Sequence, residues 1–180
     1  MNDTKQPLDG QIAWVTGGGS GIGLAGAIDL AKAGCQVVIS GREAAKLDGA
    51  IAEAEAKGAP RGRITAMALD VGDRPAVDAV AAAIEARDRG VDILVNSAGV
   101  NYTKRFWSET DGDTFAKVVN INLNGATFCT LAVLKGMQAR RRGTVINIAS
   151  FAGWHQSYLT GPAYVASKAG LTAMTHNFNM

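Results

Sequence analysis

A chain of 180 residues holds one domain with a substantial core and not two large ones. Its composition is 47% hydrophobic and 19% charged, and a formal net charge of +2 is too small to argue for nucleic acid. No apolar run is long enough for a membrane span, because the stretch over 126–134 is stopped by Lys135. Cys35 and Cys129 have no metal-ligand spacing and read as small buried residues of a reducing, cytoplasmic compartment. Residues 1–10 are polar and lack the apolar stretch of a secretory leader.

The first predicted strand, 12–15, delivers the chain into a glycine-rich turn, Thr16-Gly17-Gly18-Gly19-Ser20-Gly21-Ile22-Gly23. A helix over 21–33 follows and ends at Gly34; a strand at 36–40 and a helix at 43–57 come next. Residues 64–69 read as a third strand ending at Asp70, and 75–87 as a third helix. A fourth strand, 91–95, runs into Asn96-Ser97-Ala98-Gly99. A long, bent helix is expected over 113–140, with Arg140-Arg141-Arg142 meeting its negative dipole end and Gly143 capping it. Strand five spans 144–149, and Pro162 opens a last helix in a position where proline is tolerated.

Strands and helices alternate, and the strands are short, β-branched and continuously apolar. The expected fold is therefore α/β and doubly wound: a parallel, Rossmann-like sheet between two helical layers. No repeat or linker divides residues 1–180, which read as a single domain. The chain stops at Met180 inside its last helix, leaving strand five with an uncovered apolar edge. It is expected to be a piece of a longer protein.

A glycine turn between a strand and a helix permits positive φ, close backbone approach to a pyrophosphate and tight helix–strand packing. Thr16, Gly17, Gly19, Ser20, Gly21, Ile22 and Gly23 are accordingly the expected phosphate contacts of a dinucleotide. The tip of the second strand, Ser40-Gly41-Arg42, carries no carboxylate for a ribose hydroxyl, and Arg42 can pair with a phosphate. NADP(H) is favoured over NAD(H), although Arg42 also reads as an exposed first-turn residue that Glu43 could neutralise. Asp70 with Val71, at the tip of strand three, either receives the adenine or begins the next helix as its cap.

Asn96, Ala98 and Gly99 follow strand four, where small residues let the backbone pass close to a cofactor. Ser150 follows strand five, and Tyr164 and Lys168 stand one helical turn apart. A phenol beside a fixed ammonium ionises more easily than its ordinary value of about 10 allows, because the cation favours phenolate. That pair suits proton transfer next to the bound nucleotide.

With these motifs in this order, the chain resembles the short-chain dehydrogenase/reductase family, in the branch with a Thr-Gly-x-x-x-Gly-x-Gly turn and a Tyr-x-x-x-Lys active site. The likeness runs over 12–180. It implies hydride transfer between NAD(P)(H) and a secondary alcohol or ketone, with Tyr164 as general acid/base and Ser150 hydrogen-bonding the substrate oxygen. Lys168 would hold the nicotinamide ribose and lower the phenol's pKa; both Tyr164 and Lys168 would touch the cofactor. Asn122 would hold a water linking Lys168 to solvent, a role it takes over Asn120 because Asn-Leu is the family pattern. The family's second Asn is Ser97 here, and its later strands, Pro-Gly segment and substrate lid are missing. Members commonly form dimers or tetramers, so a homo-oligomer is expected.

Residues 100–107 and 151–161 should line the substrate pocket, offering Tyr102, Trp107, Trp154, His155, Gln156 and Tyr158 to a moderately apolar substrate. His155 reads as a loop hydrogen-bonder, and His176 has no partner that would make a metal site. The competing reading is a nucleotide-binding module without turnover. An epimerase or dehydratase using the same Tyr-Lys pair fits less well, because such relatives space their glycines differently.

Overall fold

The computed structural model describes residues 6–178, apart from 104, 156 and 157. Its five apolar segments become five parallel strands of one sheet: β1 (Ile12–Thr16), β2 (Gln36–Gly41), β3 (Ile64–Ala68), β4 (Ile93–Asn96) and β5 (Thr144–Asn147). Between them run α1 (Gly21–Lys32), α2 (Ala44–Ala56), α3 (Arg74–Asp88), α4 (Gly112–Val119) and α5 (Gly125–Arg140); α6 (Pro162–Phe178) follows β5. The spatial order is β3-β2-β1-β4-β5, so successive crossovers wind outward from β1 in both directions. This is the doubly wound, Rossmann-like arrangement expected above, and the reversal of strand order lies between β1 and β4.

Alternation along β1 shows how the layers are held. Ala13 and Val15 join one buried cluster with Leu24 and Ile28 of α1 and Leu47 of α2. Ile12 and Trp14 join the other, with Val77 and Ile84 of α3 and Val133 and Met137 of α5. Helix α6 packs against α4 and the end of β5. The register sets Thr16 beside both Ser40 and Asn96, and Asn96 beside Asn147, so four strand tips share one row. Every loop leaving that row opens at the same end of the sheet.

Helix ends hold the clearest departures. Asp73 caps α3, its side chain accepting from Ala76 N at 3.2 Å. Helix α5 is closed by Arg141 in the left-handed region (φ 53°), not by Gly143. Gly143 is required for space instead, since a Cβ there would meet the Met137 side chain at 2.5 Å. Arg140 and Arg142 are ion-paired with Glu85 and Asp92, at 3.0 Å each. The expected long helix is interrupted by a π turn, Asn120–Asn124, that separates α4 from α5. Among the described residues no helix is long and apolar enough to cross a membrane.

Candidate active site

The glycine turn is shaped by what cannot fit in it. Gly17 (φ +65°) and Gly21 (φ +54°) occupy the left-handed region that disfavours other residues. A Cβ on Gly17 would stand 2.7 Å from Ala98 N, and one on Gly23 would overlap Gly17 O. Thr16 joins this turn to the loop after β4: its Oγ1 accepts from the N–H groups of Ser97 and Ala98, both at 3.2 Å. Backbone from β1 and β4 is thereby brought close at the point where the strand order reverses, leaving open space above it.

That space is a cleft of about 490 Å³. Gly17, Gly19, Ser20 and Ile22 line its middle, and Gly41, Arg42, Asp70 and Val71 one end. Ala98, Gly99, Tyr164 and Lys168 line the other. One cleft is therefore lined by both the glycine turn and the Tyr-Lys pair. Asp70 does not cap α3, which is the role of Asp73; its Oδ1 accepts from Gly72 N at 2.9 Å while the residue faces the cleft.

Thr16, Gly21, Gly23, Asn96, Asn122 and Ser150 are not among the residues that line this cleft. Asn96 is a strut: its Nδ2 donates to Asn147 Oδ1 (2.9 Å) and Thr130 Oγ1 (3.2 Å), joining β4 to β5 and α5. Ser150, in extended conformation, caps a short 3-10 turn over Phe151–Gly153 by accepting from Ala152 N at 3.2 Å. That turn presses on α6, because a Cβ on Gly153 would lie 2.7 Å from Lys168 O.

Asn122 sits in the π turn and clamps one backbone position. Its Oδ1 accepts from Val100 N (2.7 Å), and its Nδ2 donates to Val100 O (2.9 Å) and to Ser167 Oγ (3.1 Å). Ser167 Oγ in turn donates to Tyr164 O at 2.8 Å. The loop after β4, the π turn and α6 are thus locked together. Asn120 points the other way, its Nδ2 donating to Gly72 O at 3.1 Å.

Lys168 is 6% exposed, and its Nζ donates to Ile148 O at 2.6 Å. The same ammonium lies 5.9 Å from the centre of the Tyr164 ring. Burial pushes its pKa below the ordinary lysine value, since removal from water penalises the charged form. A buried cation held by one carbonyl, facing a cleft beside a phenol, is poised to accept further partners from a ligand.

Sequence reasoning passed over Ser167 and Lys46. Ser167, at 0% exposure, could have been found as a polar residue on the buried face of α6. Lys46 lines the cleft from α2, a helix read as merely solvated. Of the aromatic residues expected in a substrate pocket, Tyr102, Trp107, Trp154 and His155 do not line this cleft. His155 stacks on Phe151 with ring centres 4.6 Å apart, and Trp154 meets His176 edge-on at 5.5 Å. Gln156 and the side chain of Tyr158 lie outside the described residues.

The family model for short chain dehydrogenase matches residues 11–180. The chain is 35% identical over 168 residues to a 3beta-hydroxysteroid dehydrogenase of Mediterraneibacter gnavus, covering 93% of this chain and 59% of that protein. It is 37% identical over 172 residues to a galactitol 2-dehydrogenase (L-tagatose-forming) of Cereibacter sphaeroides, covering 93% and 64%. It therefore spans less than two thirds of the length of these curated relatives. Among solved structures, a metagenomic short-chain oxidoreductase in complex with NADP superposes with a TM-score of 0.87 at 33% identity, over 95% of this chain and 76% of that one.

Proposed function

The chain belongs to the short-chain dehydrogenase family, and from that premise we propose that it binds NADP(H) in preference to NAD(H) and interconverts a secondary alcohol and a ketone. The observation that carries this reading is the shared cleft, lined by the glycine turn and by Tyr164 and Lys168. The cradle fits a dinucleotide: with no Cβ at Gly17 and Gly23 the turn packs directly against Ala98 and on itself, and Gly17, Gly19, Ser20 and Ile22 line the cleft beside it. Gly17, Gly19, Ser20 and Ile22 would hold its pyrophosphate, Asp70 and Val71 its adenosine, and Gly99 and Lys168 its nicotinamide ribose. Bound nicotinamide supplies or accepts the hydride.

The chain's own residues manage the proton and the charge. In reduction the Tyr164 phenol donates its proton to the substrate oxygen, and in oxidation the phenolate takes it back. The Ser150 hydroxyl donates to that oxygen as negative charge develops. Lys168 stands beside the phenol with its Nζ on Ile148 O, and the Asn122–Ser167 contacts tie the Tyr164 backbone to the framework. Asn122 also keeps the loop at Val100 against the π turn, consistent with a water route past Lys168. We further propose a single dinucleotide-binding domain acting in the cytoplasm as a homo-oligomer.

The substrate class stays broad, since one relative named above is a steroid dehydrogenase and another a sugar-alcohol dehydrogenase. Cofactor choice is testable now. Arg42 is exposed, lines the cleft and has no ion-pair partner among the described residues. Arg42→Ala should weaken NADPH binding by about tenfold while NADH binding changes little, as expected for loss of a charge-assisted hydrogen bond. Titration of both nucleotides checks this. An equal loss for both would mean that Arg42 does not meet the 2′-phosphate.

A further inference from the structure

We propose that Lys46 is a second cation of the nucleotide site, joining Arg42 on the phosphate ester of the adenosine ribose of NADP(H). The assignment rests on the nucleotide reading above and adds a residue to it. Leu47, 1% exposed, anchors the first turn of α2 beneath the glycine turn. A Cβ on Gly41 would lie 3.4 Å from Leu47, and one on Gly19 would lie 3.5 Å from Leu47 and 3.7 Å from Lys46 Cγ. The stem of Lys46 thus passes close to Gly19, and the residue lines the cleft.

Lys46 lines that cleft with Ser40, Gly41, Arg42 and Glu43, at the end away from Tyr164. Among the described residues neither Lys46 nor Arg42 has a carboxylate within ion-pair distance. The carboxylates that line this end, Glu43 and Asp70, are both outside ion-pair distance of the two cations, which leaves Arg42 and Lys46 open to an anionic ligand. A ribose hydroxyl would call for a carboxylate at the tip of β2, where this chain has Gly41. A phosphate ester, by contrast, neutralises both cations. Arg42 supplies a planar fork, while Lys46 supplies a point charge on a flexible stem, which tolerates the wider approach from α2.

The test is the dissociation constant of NADPH and NADH for the wild type, Lys46→Ala and Lys46→Arg, at low and high KCl. Lys46 is exposed, so neither substitution disturbs the core. Lys46→Ala should weaken NADPH by about fivefold at low salt, the scale of a solvent-exposed ion pair, with NADH within about twofold. Lys46→Arg should retain the preference, and the NADPH loss should shrink in high salt. If the wild type prefers NADPH and Lys46→Ala leaves that preference intact, the assignment fails while the reading of the site stands. Equal loss of both nucleotides would place Lys46 on the pyrophosphate and also overturn it. A wild type with no preference for NADPH overturns the cofactor reading and this assignment together.

Discussion

Tyr164→Phe should lower turnover by about 10²- to 10⁴-fold, the usual contribution of a positioned general acid or base, and leave cofactor affinity within a few-fold. The substitution removes one hydroxyl from a residue that lines the cleft and keeps the ring in place. The attachment of Tyr164 to the framework runs through its backbone, by way of Ser167 Oγ and Asn122 Nδ2, so the loss of the phenol leaves α6 where it was. Steady-state kinetics beside a nucleotide titration separate the two effects. Unchanged turnover would remove Tyr164 from the chemistry. Lost turnover together with lost nucleotide binding would make it a structural residue of the cleft.

Lys168→Met should produce a different pattern: nucleotide affinity falls by about tenfold or more, turnover falls with it, and the melting temperature holds or rises. Lys168 is a buried cation that donates to Ile148 O, and among the described residues no carboxylate lies within ion-pair distance to offset its desolvation. An apolar side chain of similar length removes that cost and also removes the group that meets ribose and phenol. The pH dependence follows from the lowered pKa. Between that lowered value and the ordinary 10.5, the unfolded chain binds more protons than the folded one. Wild-type stability therefore gains with rising pH across that window, and the gain disappears in Lys168→Met. Melting curves over a pH series, with nucleotide titration at neutral pH, test both parts. A variant that melts lower and keeps its affinity would make Lys168 a structural lysine.

The fold was legible because each strand is a short β-branched run ended by a turn residue, and each helix begins near a residue that suits its first turn. Thr16, Ser40 and Asn96 could be placed at or next to strand tips from sequence, and the register sets Thr16 beside both of the others. What could not be read is how the elements around the cleft connect. A π turn has no compositional mark, so one continuous helix was expected over 113–140 and the interruption at Asn120–Asn124 was not located. The choice of Asn122 over Asn120 came from the family pattern; in the structure one clamps Val100 and Ser167 and the other bonds Gly72. Arg141 in the left-handed region was missed because Gly143 stood nearby as the more obvious cap. Lys46 was missed because lysine on an Ala/Glu-rich helix reads as solvated until α2 is seen packed over Gly19. Asn96 and Ser150 were identified by position; their roles in the framework depend on contacts with residues distant along the chain, such as Asn147 and Thr130 for Asn96.

The central claim is that this cleft takes a nicotinamide dinucleotide with an extra phosphate. It is tested most directly by titrating the 180-residue chain with NADPH and NADH and following intrinsic fluorescence. Trp14 is a suitable reporter, since its indole N–H donates to Ser40 Oγ at 2.9 Å and Ser40 lines the cleft. Saturable binding of NADPH, tighter than that of NADH, is the predicted result. A chain that is folded by circular dichroism and binds neither nucleotide would contradict the account.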